Sequence, residues 1–337
     1  MNHYLFNPES YKKFYNCSYY DINIHPLQER QDIFYGIVLI VGALIFEIMY
    51  MLVIPILWQP TFQKESCYKM MAYIAVIDIV AITINGILTG VFAILGTVFC
   101  SFPSLQIFGG MMALFIWVAE SDLAVILAFN RCLSMAFPSL CKSIFTQNRT
   151  HLWFALSILH ATILAFCTDT LTFNALYGVW IVNPHLGYPQ TGREYKNVFH
   201  LIHNIAVAFA LAFFYIIFVI SLCKKKFASQ KTFSFSEKPI FIQVFLMSFM
   251  NFSCALIYVY EQHFPTPKLI MQFSQFGWMC IHGLPSVIYL GLNERIRRRV
   301  FKMIGIQNVG SVSTVPLPAL TSKTADRSTH NKYEPTA

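Results

Sequence analysis

Charge is what this chain has least of. Of 337 residues, 12% are Asp, Glu, Lys or Arg and 56% are hydrophobic, whereas soluble domains carry about 25% charge. A water-soluble protein with buried helices is excluded on that ground. Other absences narrow the function. No Gly-rich phosphate loop occurs, and the Cys, His and Asp residues form no nucleophile–base or metalloprotease pattern, so the chain reads as no enzyme. No pair of inverted, broken halves of the transporter kind is visible. The first 32 residues lack the apolar core of a signal peptide.

What fills the chain is seven apolar stretches: Ile33–Leu57, Met70–Val98, Ser104–Ala136, Leu152–Leu176, Val198–Leu222, Ile240–Tyr260 and Leu269–Leu292. About 20 apolar residues span a hydrocarbon core roughly 30 Å thick. With no hydrogen-bond partner in lipid, each must fold as a helix. The expected fold is an all-α membrane protein, a seven-transmembrane helix bundle. An N-terminal segment (1–32) precedes the spanning domain (33–292). A juxtamembrane amphipathic helix (293–304) follows, with Ile296, Val300 and Ile304 on one face and basic residues around the rest. The tail (305–337) is rich in Ser, Thr and Pro and reads as disordered.

The few charges are sorted by side. With the N-terminus outside, the inner segments hold 18 of the 24 Lys and Arg, the asymmetry of the positive-inside rule. The net charge of +8 is then an orientation and headgroup signal, and no nucleic-acid partner is expected. Asn16-Cys17-Ser18 is an outward glycosylation sequon, while Asn148-Arg149-Thr150 lies in an inner loop. Of nine cysteines, Cys17 and Cys100 lie clearly on the oxidising side and Cys167 is near the outer end of the fourth stretch. An outer disulfide is Cys17–Cys100, with Cys100–Cys167 as the alternative.

Charges at bilayer depth are costly and tend to be functional. With Arg131 as angular zero, Glu120 lies about 20° away and roughly 16 Å higher. Trp117, Ala113, Gly110, Gly109, Ala124 and Ala128 share that stripe, and small residues there allow close helix approach. Asp122 points about 180° away and needs another partner. On the second stretch Asp78, Asn85 and Thr89 share a face at a depth that meets Glu120. Two such carboxylates need a proton or a sodium ion between them, or separate hydrogen bonds to neighbouring helices. No cofactor is expected beyond such a sodium ion. Gln275, His282 and Tyr289 recur every seven residues on the seventh stretch, with Pro285 among them. His200 and His203 are spaced by three with no third ligand in view, a poor zinc pattern, so no metal is expected. A ligand pocket between the outer halves would draw on Met112, Phe115, Trp117, His203, Tyr258 and Gln275.

The ordered set of motifs resembles a nematode serpentine chemoreceptor of class T, a family like the seven-helix G-protein-coupled receptors. It runs over Tyr15-Asn16-Cys17-Ser18, Ser66-Cys67-Tyr68-Lys69-Met70, Ile74-Ala75-Val76-Ile77-Asp78, Phe99-Cys100-Ser101-Phe102-Pro103, Asn130-Arg131-Cys132, Gly283-Leu284-Pro285 and Asn293-Glu294-Arg295-Ile296-Arg297. The resemblance implies a receptor of the plasma membrane, N-terminus outside, in sensory-neuron cilia. It implies a small-molecule chemical ligand and a heterotrimeric G protein as partners. By the same resemblance Arg131, with Asn130 where an acid is usual, engages the G protein, and Asp78 belongs to a central sodium or water network. The competing class is a seven-helix ligand-gated channel or transporter.

The charge asymmetry makes one direct prediction. Asn16 carries glycan and Asn148 does not. A glycosidase-sensitive mass shift that survives Asn16→Gln and disappears in Asn148→Gln reverses the orientation.

Overall fold

The computed structural model of the chain describes residues 2–19, 21–146, 148–189, 195–229 and 237–306. The tail beyond 306 lies outside the described residues. Among the described residues, seven long helices run in chain order: α1 (Ile33–Leu57), α2 (Ser66–Leu95), α3 (Pro103–Ala136), α4 (Arg149–Cys167), α5 (Val198–Ser229), α6 (Glu237–His263) and α7 (Lys268–Leu292). A short α8 (Glu294–Met303) follows. The first five long helices have the length and apolar composition to cross a membrane. The last two are interrupted by polar residues such as Gln243, Asn251, Gln275 and His282, all of which face inward and are buried.

Local chemistry sets the helix ends. The Asp32 carboxylate caps α1 by accepting from the Tyr35 backbone N–H at 3.1 Å. Midway along α2, Thr83–Leu88 winds as a π-helical turn, where Thr89 Oγ1 donates to the Ile84 carbonyl at 2.8 Å. α2 ends at Gly96, whose φ of +61° is the left-handed conformation that closes a helix. Pro103 opens α3 at the first helical position. At 34 residues α3 is longer than a bilayer requires, which tilt accommodates. Asn293 caps α8 by accepting from the Ile296 N–H at 3.2 Å.

The fourth apolar stretch is not one helix. α4 stops at Cys167, and Thr172–Asn174 (β1) pairs antiparallel with Val179–Ile181 (β2), Phe173 opposite Trp180. Gly178, at φ +69°, makes the turn. The hairpin lies over the bundle end where α2 finishes and α3 begins, with Phe173 Nα–H donating to Gln106 Oε1 at 2.7 Å and Trp180 Nε1–H to Thr89 Oγ1 at 2.9 Å. A short apolar run of this kind reads alike as helix end or strand.

The N-terminal segment folds onto the same face. Cys17 is bonded to Cys100, Cα atoms 5.5 Å apart, and Cys167 is free. Tyr15 is buried, edge-on to Phe99 and Tyr195. Tyr195 Oη donates to the Phe14 carbonyl at 2.6 Å, and Arg30 Nη1 to the Gly96 carbonyl at 2.6 Å. Burial holds His185 below the usual histidine range, so the neutral ring donates Nε2–H to the Phe14 carbonyl at 2.9 Å. On the sides of the bundle, by contrast, large apolar side chains stand exposed. Phe34 is 80% exposed, Phe209 74% and Phe273 72%, a belt that water would not tolerate and lipid would.

The small-residue stripe of α3 is buried as its spacing implies: Gly109, Gly110, Ala113, Trp117, Glu120, Ala124 and Ala128 all face inward. Gly110 is the tightest point. A Cβ there would lie 1.7 Å from the Leu171 carbonyl oxygen, whereas a Cβ on Gly277 of α7 meets nothing within 4 Å. Gly110→Ala therefore lowers stability by about 1–3 kcal/mol, and Gly277→Ala leaves it unchanged or raises it by up to ~1 kcal/mol. Thermal unfolding of the purified protein in detergent distinguishes the two.

Candidate functional site: an apolar cavity above a buried polar ring

Beneath the hairpin, α3, α5, α6 and α7 enclose a cavity of about 260 Å³. Its walls include Trp117 from α3, Trp180 from β2, His200 from α5, Tyr258, Glu261 and Gln262 from α6, and Met271 and Trp278 from α7. Three aromatic rings share one wall. Trp278 stands edge-on to Trp117 and to Tyr258, centroids 6.4 and 5.8 Å away. Polar atoms are few and aimed. Trp117 Nε1–H donates to Asn204 Oδ1 at 2.8 Å, so the Asn204 NH₂ faces His200 Nε2 at 3.4 Å. The Gln262 amide nitrogen faces the other ring nitrogen, Nδ1, at 3.4 Å, and a neutral imidazole accepts from only one of these two donors. Glu261 Oε1 is buried without a hydrogen-bond partner.

Below the cavity lies a buried polar ring. Tyr50 Oη of α1 approaches Asp78 Oδ2 at 2.5 Å and the His282 carbonyl at 2.9 Å. His282 Nδ1 donates to Asp78 Oδ1 at 2.8 Å, with both side chains fully buried. Trp278 joins the two levels: it lines the cavity, and its ring lies 6.4 Å from that of His282. Glu120 does not pair with Asp78. Its Oε1 accepts from Asn251 Nδ2 at 3.4 Å and its Oε2 has no partner. Asp78 is thus hydrogen-bonded through both oxygens to neighbouring helices. Asn85 is buried with both side-chain polar atoms unpaired, as are His282 Nε2 and the Tyr289 hydroxyl. Buried polar atoms of this kind take water or a cation.

Of the side chains expected at a ligand pocket, Trp117 and Tyr258 line the cavity. Gln275 stands behind it, accepting from Tyr258 Oη at 3.5 Å. Met112 and Phe115 do not line it, and Phe115 packs against the main core. His203 points into a separate groove between α4 and α5. Trp180, His200, Glu261, Gln262 and Trp278 were not among the candidates. Glu261 lies just past the sixth apolar stretch, and an acid at a span end is the feature of the sequence that marks it.

At the opposite end of the bundle, Arg131 Nη2 donates to Cys67 Sγ. Asn130 Nδ2 donates to Ser66 Oγ at 3.1 Å and lies 3.6 Å from Cys141 Sγ. Arg295 of α8 donates to Glu65 at 2.7 Å, which raises its pKa, and stacks over Phe62 and Tyr68. The cavity and Arg131 thus lie at opposite ends of the bundle. The family model for the serpentine type 7TM GPCR chemoreceptor Srt matches residues 1–312.

The chain belongs to this family.

It is also 28% identical over 254 residues, 74% of its length, to the serpentine receptor class T-55 of Caenorhabditis elegans, of which the match covers 69%. The family is one of receptors rather than of enzymes, and this chemoreceptor chain is a membrane protein with several apolar helices.

The receptor's polar ring yields a stability prediction. His282→Ala leaves Asp78 Oδ1 without its donor in a site closed to water and costs at least about 1–3 kcal/mol. Asp78→Asn in the His282→Ala background recovers part of that loss, since a neutral amide is cheaper to bury. A thermal-shift double-mutant cycle measures the coupling.

Proposed function

We propose that this chain is a chemosensory G-protein-coupled receptor of the plasma membrane. A small molecule enters the cavity from outside, and a heterotrimeric G protein is engaged at the inner end around Asn130 and Arg131. In this reading all seven long helices span the bilayer with the N-terminus outside. α8 lies along the inner surface, with Ile296 and Val300 buried and its arginines towards headgroups. Family membership is in keeping with sensory-neuron cilia as the site of action.

One observation carries the proposal: Trp278 touches both the ligand cavity and the Asp78–His282 pair. A ligand that moves Trp278 moves His282, and with it the hydrogen bonds linking α1, α2 and α7. A ligand has leverage only through unequal affinity for two states, and Trp278 is the side chain through which the cavity reaches the polar ring. The walls suit a compact molecule with an apolar ring and one N–H or O–H donor, the ring against Trp117 and Tyr258 and the donor towards Glu261. The unpaired buried polar atoms of Asn85, Glu120 and Asn251 would take a sodium ion or water in one state better than in the other.

The test is a ligand screen in cells with a second-messenger readout. Arg131→Ala is expected to abolish the response at unchanged surface expression. Trp117→Ala, Tyr258→Ala and Trp278→Ala each shift potency about tenfold or more, roughly 1.4 kcal/mol, while Met112→Ala, outside the cavity, does not. A ligand-evoked current independent of G protein would favour the channel reading instead.

A further inference from the structure

We infer that Asp122, His160 and His203 form a binding site for a divalent transition-metal ion of the zinc type, in the groove between α4 and α5 and apart from the ligand cavity. The three side chains come from α3, α4 and α5. Each offers one ligand atom, and these atoms all lie within 4.8 Å of one another. His160 Nδ1 is 2.8 Å from Asp122 Oδ2, and His203 Nδ1 is 4.0 Å from Asp122 Oδ1. A tetrahedral zinc site with bonds of about 2.0–2.2 Å holds its ligands about 3.3–3.6 Å apart. The observed pair of distances straddles that range. The His160 side chain, 48% exposed, has the freedom to make the adjustment.

The surroundings set the tautomer that a metal needs. Ser121 Oγ donates its proton to the Trp117 carbonyl at 2.7 Å. Towards His203 Nε2, 2.8 Å away, the hydroxyl oxygen therefore acts as acceptor, and His203 carries its proton on Nε2. The Nδ1 lone pair is left facing the Asp122 carboxylate. Two acceptors turned towards each other in an apolar groove are poorly matched unless a cation joins them. Such a hydrogen bond to the distal ring nitrogen is the usual support of a metal-bound histidine. His160 ligates through Nδ1 once its proton resides on Nε2. One carboxylate and two imidazoles favour zinc or copper over magnesium or calcium, which prefer all-oxygen shells. The fourth position is open to water.

The site is reachable. Its groove, about 690 Å³, is also lined by Cys167 and Thr168 at the end of α4 and by Phe199 in the first turn of α5, the bundle end that bears the hairpin. It shares no lining residue with the ligand cavity. An ion there would clamp α4 and α5 to α3.

The experiment uses the full-length receptor, purified in detergent and stripped with a chelator, so it needs neither agonist nor G protein. Calorimetric titration with zinc chloride is expected to show one saturable site and a rise in Tm, with magnesium chloride giving neither. His160→Ala and Asp122→Asn, each first shown by its own thermal transition to fold, weaken zinc binding at least tenfold. Ser121→Ala weakens it about tenfold through the lost support of His203. Cobalt(II) in place of zinc gives the visible absorption of a tetrahedral nitrogen–oxygen site in the parent and loses it in His160→Ala. Absence of saturable binding to the parent overturns the inference. So does binding that His160→Ala and Asp122→Asn both leave intact, which would assign the ion to other residues.

Discussion

Asp78 is the point on which the bundle hangs. It is fully buried, and its two oxygens are answered by Tyr50 from α1 and His282 from α7. In water such hydrogen bonds would be nearly free to exchange; in a bundle closed to water each lost partner costs the full desolvation of the group. That asymmetry pulls α1, α2 and α7 into one register. The same logic repeats at smaller scale where Trp117 binds Asn204 across α3 and α5, and where Ser157 donates to the Ala119 carbonyl at 2.9 Å to join α4 to α3. Apolar packing holds helices together but says little about rotation or depth. The polar contacts set both.

The end of the bundle that carries the N-terminus is organised differently. There the chain leaves regular helix, and its backbone groups find partners in the hairpin, in the N-terminal segment and across the Cys17–Cys100 bond. The result is a partial roof over the cavity. Trp180 is part of that roof and of the cavity wall at once. A molecule in the cavity would therefore touch the hairpin through Trp180 above and Trp278, the neighbour of His282, below.

Residue spacing carried the inward faces of the helices but little of the cavity wall, of whose expected side chains Trp117 and Tyr258 line it. The inward face of α3 was predicted by the 100° step from Arg131, and Glu120, Trp117 and the small residues are all buried there. The same step turned Asp122 away from that face, and the structure supplies its partner, His160, from α4. The outer cysteine pair named first from the sequence is the pair in the structure. Spacing failed where partners come from distant segments. His203 looked like a pocket residue beside His200, yet one turn separates a side chain in the cavity from one in the α4–α5 groove. Asp78 and Glu120 share a depth but not a bond, because Tyr50 and Asn251 reach them first.

By itself the sequence determined that this is a helical membrane protein, where its apolar runs lie and which face of each is polar, because those follow from composition and a fixed helical period. It also carried the family. The tertiary structure alone decided that residues 172–181 fold as a hairpin roof, that Asp78 belongs to Tyr50 and His282, and that Trp278 links cavity to polar ring. Each of these depends on which of several chemically equivalent partners lies closest in space, and that choice is made by all the helices packing together rather than by any one of them.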